Sequence, residues 1–290
     1  MRILVSGATG LLGRAFLERA DKDDEIFFIS RRPLEIRNHK CIVLDLSADW
    51  KISSLPNQMD VIVHLAQSSD YRKFPDRADD IFSVNVISTA KLLDYAKMSG
   101  VQRFLLASTG GIYKGQGSPV SEESEILGPS ELGFYFASKL SSEMLAANYR
   151  DWFEVNILRI FFMYGTNQKI EMFLPSIIKK IASGVPVRLD GHDGIRVNPI
   201  HASVAASVVH EIVQRGGPRT INLAGIDTYS IREISDSIGK ILGVQPQYEV
   251  IGKSDDLIAD TTQMKKFIEN PTDSLMSLLP SIIEEVLDRR

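Results

Sequence analysis

The stretch RILVSGATGLLGR, residues 2–14, decides how the chain is read. Ile3, Leu4 and Val5 form a short apolar run. Gly7, Gly10 and Gly13 then follow at G-x-x-G-x-x-G spacing and lead into helical spacing over 11–20. An apolar run of this length reads as a buried strand. The glycines allow a tight turn and close backbone approach, and the start of the helix leaves N–H groups free for a pyrophosphate. Gly7, Thr9, Gly10, Leu11, Leu12 and Gly13 are therefore expected to cradle a dinucleotide. The competing reading of the triplet is a glycine-rich structural turn.

The rest of the first 160 residues repeats the same rhythm. EIFFIS (25–30), KCIVLDL (40–46), DVIVHLA (60–66), QRFLLAST (102–109) and FEVNILRI (153–160) are apolar runs rich in Ile, Val and Phe, as parallel strands covered on both faces must be. Segments 76–99 and 133–150 between them carry helical spacing. Strands alternating with helices predict an α/β, Rossmann-type doubly wound parallel sheet. After about residue 165 the rhythm changes. MFLPSIIKKIASG (172–184) reads as a helix closed by Gly184, TINLAG (220–225) as a strand, and 230–243 as a helix opened by a Ser230/Glu233 capping box. Residues 273–290 close the chain as an amphipathic helix. The expected division is a dinucleotide-binding domain over 1–165, rejoined by about 197–226, and a smaller C-terminal α/β substrate lobe built from 166–196 and 227–290.

Bulk properties narrow the function. A net charge of −4 leaves no electrostatic footprint for nucleic acid or an acidic membrane surface. No run approaches the length of a membrane span, and MRILVSG lacks the apolar core of a secretory signal, so a cytoplasmic protein is expected. One cysteine, Cys41, excludes an intrachain disulfide and is read as a small buried strand residue. His64 ends an apolar strand and is read as structural. His192, His201 and His210 have no carboxylate or cysteine at metal-ligand spacing, so no metal is expected.

Two local patterns carry chemistry. The second strand ends ISRRP, with Ser30 where an NAD-binding protein would place an acidic residue and with Arg31 and Arg32 following. Two guanidiniums can clamp a ribose 2′-phosphate, which favours NADP(H) and leaves NAD(H) as the alternative. The second pattern is GFYFASK, 133–139, where Tyr135 and Lys139 lie one helical turn apart. A neighbouring ammonium would draw a phenol towards the range of an acid–base catalyst, although a solvated helix pair has the same spacing.

Taken together, GATGLLG (7–13), DL (45–46), HLA (64–66), NVISTAKLLDYA (85–96), ASTGGIYKG (107–115), YFASK (135–139), LRIFFMYG (158–165) and INLAG (221–225) resemble the extended short-chain dehydrogenase/reductases, which include nucleotide-sugar epimerases, dehydratases and ketoreductases. The resemblance implies Tyr135 as catalytic acid–base, Lys139 lowering its pKa and binding the nicotinamide ribose, and Thr109 polarising the reacting oxygen. It also implies Asp45 and Leu46 beside the adenine, the Leu65–Ala66–Gln67 segment along the cofactor, and Asn85 on the nicotinamide side. For substrate it implies Thr109 and Gly110 at the reacting group, with Phe162 and Arg196 contributed from the other lobe. The chain also departs from the family. Gly110 and Gly111 stand where dehydratases carry an acidic pair, Phe162 replaces an asparagine that holds the diphosphate, and HAS (201–203) replaces VDD.

The leading expectation is an NADP(H)-dependent reductase of a keto group on a nucleotide-activated sugar. Its nearest alternative is a nucleotide-sugar 4-epimerase with tightly held NAD. A non-catalytic cofactor sensor or scaffold is the third, and a homodimer is compatible with all three.

Overall fold

Apolar segments too short for helices and rich in β-branched residues pair side by side, and their burial on both faces makes them the centre of the protein. The computed structural model describes residues 1–115, 119–252, 255–268 and 274–289. Among these, β1 (Arg2–Ser6), β2 (Glu25–Ser30), β3 (Lys40–Val43), β4 (Val61–His64), β5 (Arg103–Thr109) and β6 (Glu154–Ile160) fall where the apolar runs predict strands. With β7 (Val187–Asp190), β8 (Arg196–Val197) and β9 (Thr220–Leu223) numbered along the chain, the main sheet runs β3-β2-β1-β4-β5-β6-β9. The β1–β2, β1–β4, β2–β3 and β4–β5 pairs are parallel. The order reverses between β1 and β4, and in such sheets the ligand crevice lies beyond the strand carboxyl ends at that reversal. This is the Rossmann-like α/β fold that the sequence predicts. Cys41 is only half-buried, because β3 forms the edge of the sheet.

The chain divides into two compact units: 1–112, 126–159 and 206–221 form the first, and 113–125, 160–205 and 222–290 the second. The expected division placed 113–125, 160–165, 197–205 and 222–226 with the first. Residues 113–125 belong with the second because Val120 pairs with Ile258 and Ala259 and because Asn222 donates to the Val120 carbonyl.

In the first unit, α1 (Leu11–Arg19) starts directly after the glycine turn. The single helix expected over 76–99 is α2 (Ala78–Phe82), a π-helical turn (Ser83–Ile87) and α3 (Ser88–Met98). α4 (Phe134–Ala147) packs beside them.

In the second unit, α5 (Phe173–Ala182) ends near Gly184, whose φ of +68° turns the chain. β7 pairs in parallel with a later strand, Tyr248–Ile251, and β8 pairs antiparallel with Tyr229–Ser230. The helix Ala202–Arg215 was not anticipated from the sequence. The capping box is present: Ser230 Oγ accepts from the Glu233 N–H, and Glu233 Oε2 accepts from the Ser230 N–H, opening the helix Ile231–Leu242. The closing helix is Leu275–Asp288; of its expected span, Asp273 and Arg290 lie outside the described residues. Tyr164, Leu174, Ile178, Leu189, Ile234 and Leu279 share this unit's core.

His64 closes β4 in the first unit and is fully buried. Its Nδ1 meets Ser6 Oγ at 2.5 Å and its Nε2 meets Thr89 Oγ1 at 2.9 Å. Burial, reinforced by the charge of Lys139, pulls its pKa down to about 3. The unfolded chain takes up this proton near pH 6.5, whereas the folded chain waits until about pH 3. The neutral ring thus contributes fully above pH 6.5 and loses about 1.4 kcal/mol per pH unit as pH falls below it.

Two measurements check this architecture. Chemical denaturation between pH 7.5 and 5 should lose stability in the wild type by about one proton's worth more than in His64→Gln. Gly13→Ala should destabilise the fold by about 1–3 kcal/mol, because its methyl must displace backbone. A Cβ there would lie 2.2 Å from the Gly7 carbonyl oxygen. Gly133→Ala, where a methyl meets nothing within 4 Å, should leave the melting temperature unchanged.

Candidate active site

The glycine turn is built by contact. Gly7 has φ +75°, and a Cβ on it would fall 2.6 Å from the Ala66 nitrogen and the Leu65 carbonyl carbon. Only a residue without a side chain lets the β1 turn rest on the β4 turn. The Leu65 N–H donates to the Ser6 carbonyl at 3.1 Å, and the Ala66 N–H donates to Ser6 Oγ at 3.3 Å. Gly10 opens α1 with no side-chain cap, which leaves the first N–H groups of the helix facing outward past Gly7. Thr9 and Gly10 are exposed, Leu11 is half-buried, and Leu12 and Gly13 are buried. Segments 7–13 and 65–66, forecast separately as cofactor-binding, thus form one surface. A cradle that an added Cβ would fill fits a dinucleotide's pyrophosphate.

At the end of β2, Arg31 and Arg32 are exposed, and the Arg32 N–H reaches Ser30 Oγ at 3.4 Å. Asp45 is exposed and Leu46 buried. Hydrogen bonds from Ser47 hold the Asp45 carboxyl below its ordinary range, and the positive charge of Arg31 adds to this. The rim forecast for a phosphate thus carries an aspartate as well as two arginines, and is mixed in sign.

The residues forecast as the acid–base pair sit on α4, where spacing of four puts Tyr135, Lys139 and Glu143 on one face. The Tyr135 hydroxyl donates to Gln67 Oε1 at 2.7 Å, and its ring lies 4.7 Å from that of Tyr71 and 5.4 Å from that of Phe136. Lys139 is buried, and burial lowers its pKa to about 8 against the opposing pull of Glu143. Glu143 is in turn paired with Arg159 of β6 at 2.8 Å. The expectation that Lys139 draws the Tyr135 pKa down needs correcting. Burial pushes the phenol above its ordinary value, Tyr71 adds to the rise, and the cation that opposes it is Arg72. The four-residue spacing gives the shared face, but it does not give the charge that reaches the phenol.

Thr109 ends β5, and its Oγ1 accepts from the Gly111 N–H at 3.1 Å. Gly111 packs beneath Phe136 so closely that a Cβ would lie 2.4 Å from the ring. This contact sets the Thr109–Gly110 turn against the first turn of α4, next to Tyr135. Asn85 is buried at the centre of the π-helical turn. Its Oδ1 accepts from the Ser68 N–H at 3.0 Å, and its Nδ2 donates to Ser138 Oγ at 2.9 Å. Its carbonyl accepts from both Thr89 and Ser142. Ser68, Ser138 and Ser142 escaped the reading of the sequence, since single serines carry no periodic signal. Ser138 and Ser142 do fall on the α4 side that also carries Tyr135, which was the one available clue.

Phe162 and Arg196 belong to the second unit. Phe162 has φ +33°, uncommon for a bulky residue, and packs on Phe173 at 5.1 Å. Arg196 is half-exposed, with Nη1 3.5 Å from Glu233 Oε2 and Nη2 donating to the Thr228 carbonyl at 3.4 Å. Among the described residues no helix is long and apolar enough to cross a membrane.

Known proteins extend this picture. The chain is 26% identical to the uncharacterized UDP-glucose epimerase YtcB of Bacillus subtilis (strain 168), over 95% of this chain and 94% of that one. It is 25% identical to the GDP-6-deoxy-D-talose 4-dehydrogenase of Aggregatibacter actinomycetemcomitans, over 100% and 98% respectively. Among solved structures, UDP-glucuronic acid 4-epimerase from Bacillus cereus, in complex with UDP-glucuronic acid and NAD, superposes with a TM-score of 0.87. It covers all of both chains at 21% identity, a likeness of fold. Residues 3–224 match the NAD dependent epimerase/dehydratase family. With that match running from the first strand to the last strand of the main sheet, the chain belongs to this family of extended short-chain dehydrogenase/reductases and is an enzyme.

Proposed function

We propose that the protein is an NAD-using 4-epimerase of a UDP-sugar. The observation that carries this reading is the arrangement of Tyr135 and Lys139 on one face of α4, with the Thr109 turn packed against that helix. The relatives named above supply the substrate class, and NAD stands in the B. cereus complex. The expectation of NADP(H) and net reduction rested on Arg31 and Arg32. It gives way because the solved neighbour named above holds NAD, and because the carboxyl of Asp45 stands among the residues forecast for the cofactor rim. A cytoplasmic setting belongs to this reading.

Segments 7–13 and 65–67, with Asp45, Leu46 and Asn85, would hold the cofactor. When bound, NAD supplies a hydride acceptor and, in its oxidised form, a positive charge. Tyr135 Oη is the atom that takes the proton of the sugar hydroxyl and returns it, with Gln67 Oε1 as its resting partner. Burial keeps the phenol protonated, so its base function calls for a positive charge brought close, and its acid function does not. Lys139, buried one helical turn from Tyr135, feels the negative charge of Glu143, which is itself paired with Arg159. Thr109 Oγ1 donates to the reacting oxygen as charge develops on it. Dehydration is disfavoured because Gly111, under Phe136, has no room for the acidic side chain it would need. Phe162 and Arg196 are proposed as the second unit's contribution, with Arg196 taking the diphosphate.

A second reading, the reductase of a nucleotide-linked keto sugar, is favoured by the exposed Arg31 and Arg32 and by likeness to the talose 4-dehydrogenase. NMR of UDP-glucose and UDP-glucuronic acid incubated with the protein separates the two. Epimerisation predicts the 4-epimer with no net change in NAD(P)H absorbance. Stoichiometric consumption of NADPH by a keto sugar, with no epimer formed, would instead establish the reductase.

Two variants test the assignments. Tyr135→Phe should lower kcat by about 10²–10⁴-fold, the usual contribution of an acid–base group, while leaving NAD affinity within a few-fold. Calorimetry should find NAD bound more tightly than NADP, and Arg31→Ala with Arg32→Ala should leave NAD affinity nearly unchanged. A strong wild-type preference for NADP, abolished by the double variant, would return the reductase to first place.

A further inference from the structure

Three side chains distant in sequence meet on the first unit, away from the acid–base helix. Asp21 and Asp24 lie in the turn between α1 and β2, and His210 lies on the helix Ala202–Arg215. A carboxylate oxygen from each aspartate and a ring nitrogen of His210 all lie within 4.8 Å of one another. No local pattern announces this cluster, because His210 lies 186 positions after Asp24.

Proximity alone would describe a surface ion pair, and part of the cluster is one. His210 Nε2 stands 3.5 Å from Asp21 Oδ2, which also accepts from Gln214 Nε2 at 2.9 Å. What sets the cluster apart is Asp24. Its side chain is only 6% exposed, and while Oδ1 accepts from the Met1 ammonium at 2.8 Å, the buried Oδ2 has no hydrogen-bond partner. His210 Nε2 is likewise buried and without one. Buried polar atoms are nearly always satisfied, and an ionised oxygen left bare is costly. Here an unsatisfied carboxylate oxygen and an unsatisfied imidazole nitrogen belong to the same small cluster.

We propose that Asp21, Asp24 and His210 bind one divalent transition-metal cation of the Zn²⁺ type. An imidazole among carboxylates favours such an ion over Mg²⁺ or Ca²⁺, which prefer all-oxygen shells. Tetrahedral Zn²⁺ with bonds of about 2.0–2.2 Å sets neighbouring ligand atoms about 3.3–3.6 Å apart. The His210–Asp21 separation already has that value. Asp24 needs to close by a small side-chain rotation, and the exposed flank of Asp21 admits solvent as fourth ligand. The ion would join the α1–β2 turn to the helix carrying His210. It lies outside the proposed catalytic machinery, so its role is structural.

The test uses the untagged protein, since a polyhistidine tag would itself bind the ion. Titration calorimetry with ZnCl₂ should give one site per chain, and Zn²⁺ should raise the melting temperature, as any ligand selective for the folded state does. MgCl₂ should do neither. Asp24→Asn and His210→Gln should each weaken Zn²⁺ binding by about ten-fold or more, with circular dichroism reporting whether each variant folds. Co²⁺ provides a measurement independent of variants: its visible absorption should take the intense form of four-coordinate nitrogen–oxygen ligation and be lost on adding Zn²⁺. The proposal is overturned if the wild type binds no Zn²⁺, if folded variants bind it as tightly, if Mg²⁺ binds equally well, or if bound Co²⁺ stays six-coordinate.

Discussion

Asn85 holds together the part of the protein where chemistry is proposed. Its amide reaches Ser68 after β4 on one side and Ser138 on α4 on the other, while its carbonyl takes two hydroxyl donors at once. A carbonyl can do this when the ordinary helical bond to it is displaced, and the π-helical turn at Ser83–Ile87 displaces it. Every group in the network is buried and paired, so it behaves as a rigid strut and not as a loose polar pocket. The orientation of α4, and with it the aim of Tyr135, follows from this strut.

A second constraint is electrostatic. The charge of Lys139 is felt by the buried imidazole of His64, and burial weakens the hold of Lys139 on its own proton. The negative charge that keeps it ionised is Glu143, one helical turn on, and Glu143 is itself balanced by Arg159. One helix face therefore carries in turn a neutral phenol, a buried ammonium and an interior ion pair. Removing one partner of such a pair strands the other in a medium that solvates it poorly, which makes Glu143 and Arg159 structural supports of the helix that carries Tyr135 and Lys139.

The sheet was legible in the sequence because each of its strands is a continuous apolar run bounded by turn residues, a pattern that burial on both faces imposes. The glycine turn was legible for a different reason: Gly7 and Gly13 have no substitute where backbone meets backbone. Other features depend on partners far along the chain and left no local trace. Ser68 and Ser138 gain meaning only through Asn85, and Arg31 only through Asp45. The helix Ala202–Arg215 was missed although its apolar residues recur on one face, and the two-stranded ladders are too short to show a period. The phenol's proton affinity was misjudged because spacing reports neighbours along a helix, whereas burial by Tyr71 and other chain segments decides the sign.

The π-helical turn has a geometric consequence of its own. Relative to an α-helix it contains about one surplus residue, and one residue is about 100° of rotation. The two halves of what would otherwise be a single rod are thus indexed differently, like two gears set one tooth apart. Asp80, before the turn, meets the hydroxyl of Ser68, while Thr89, after it, meets His64. A regular helix of the same length could satisfy one of these contacts but not both. The surplus residue therefore lets one element keep two appointments with the strand β4 and the loop that follows it.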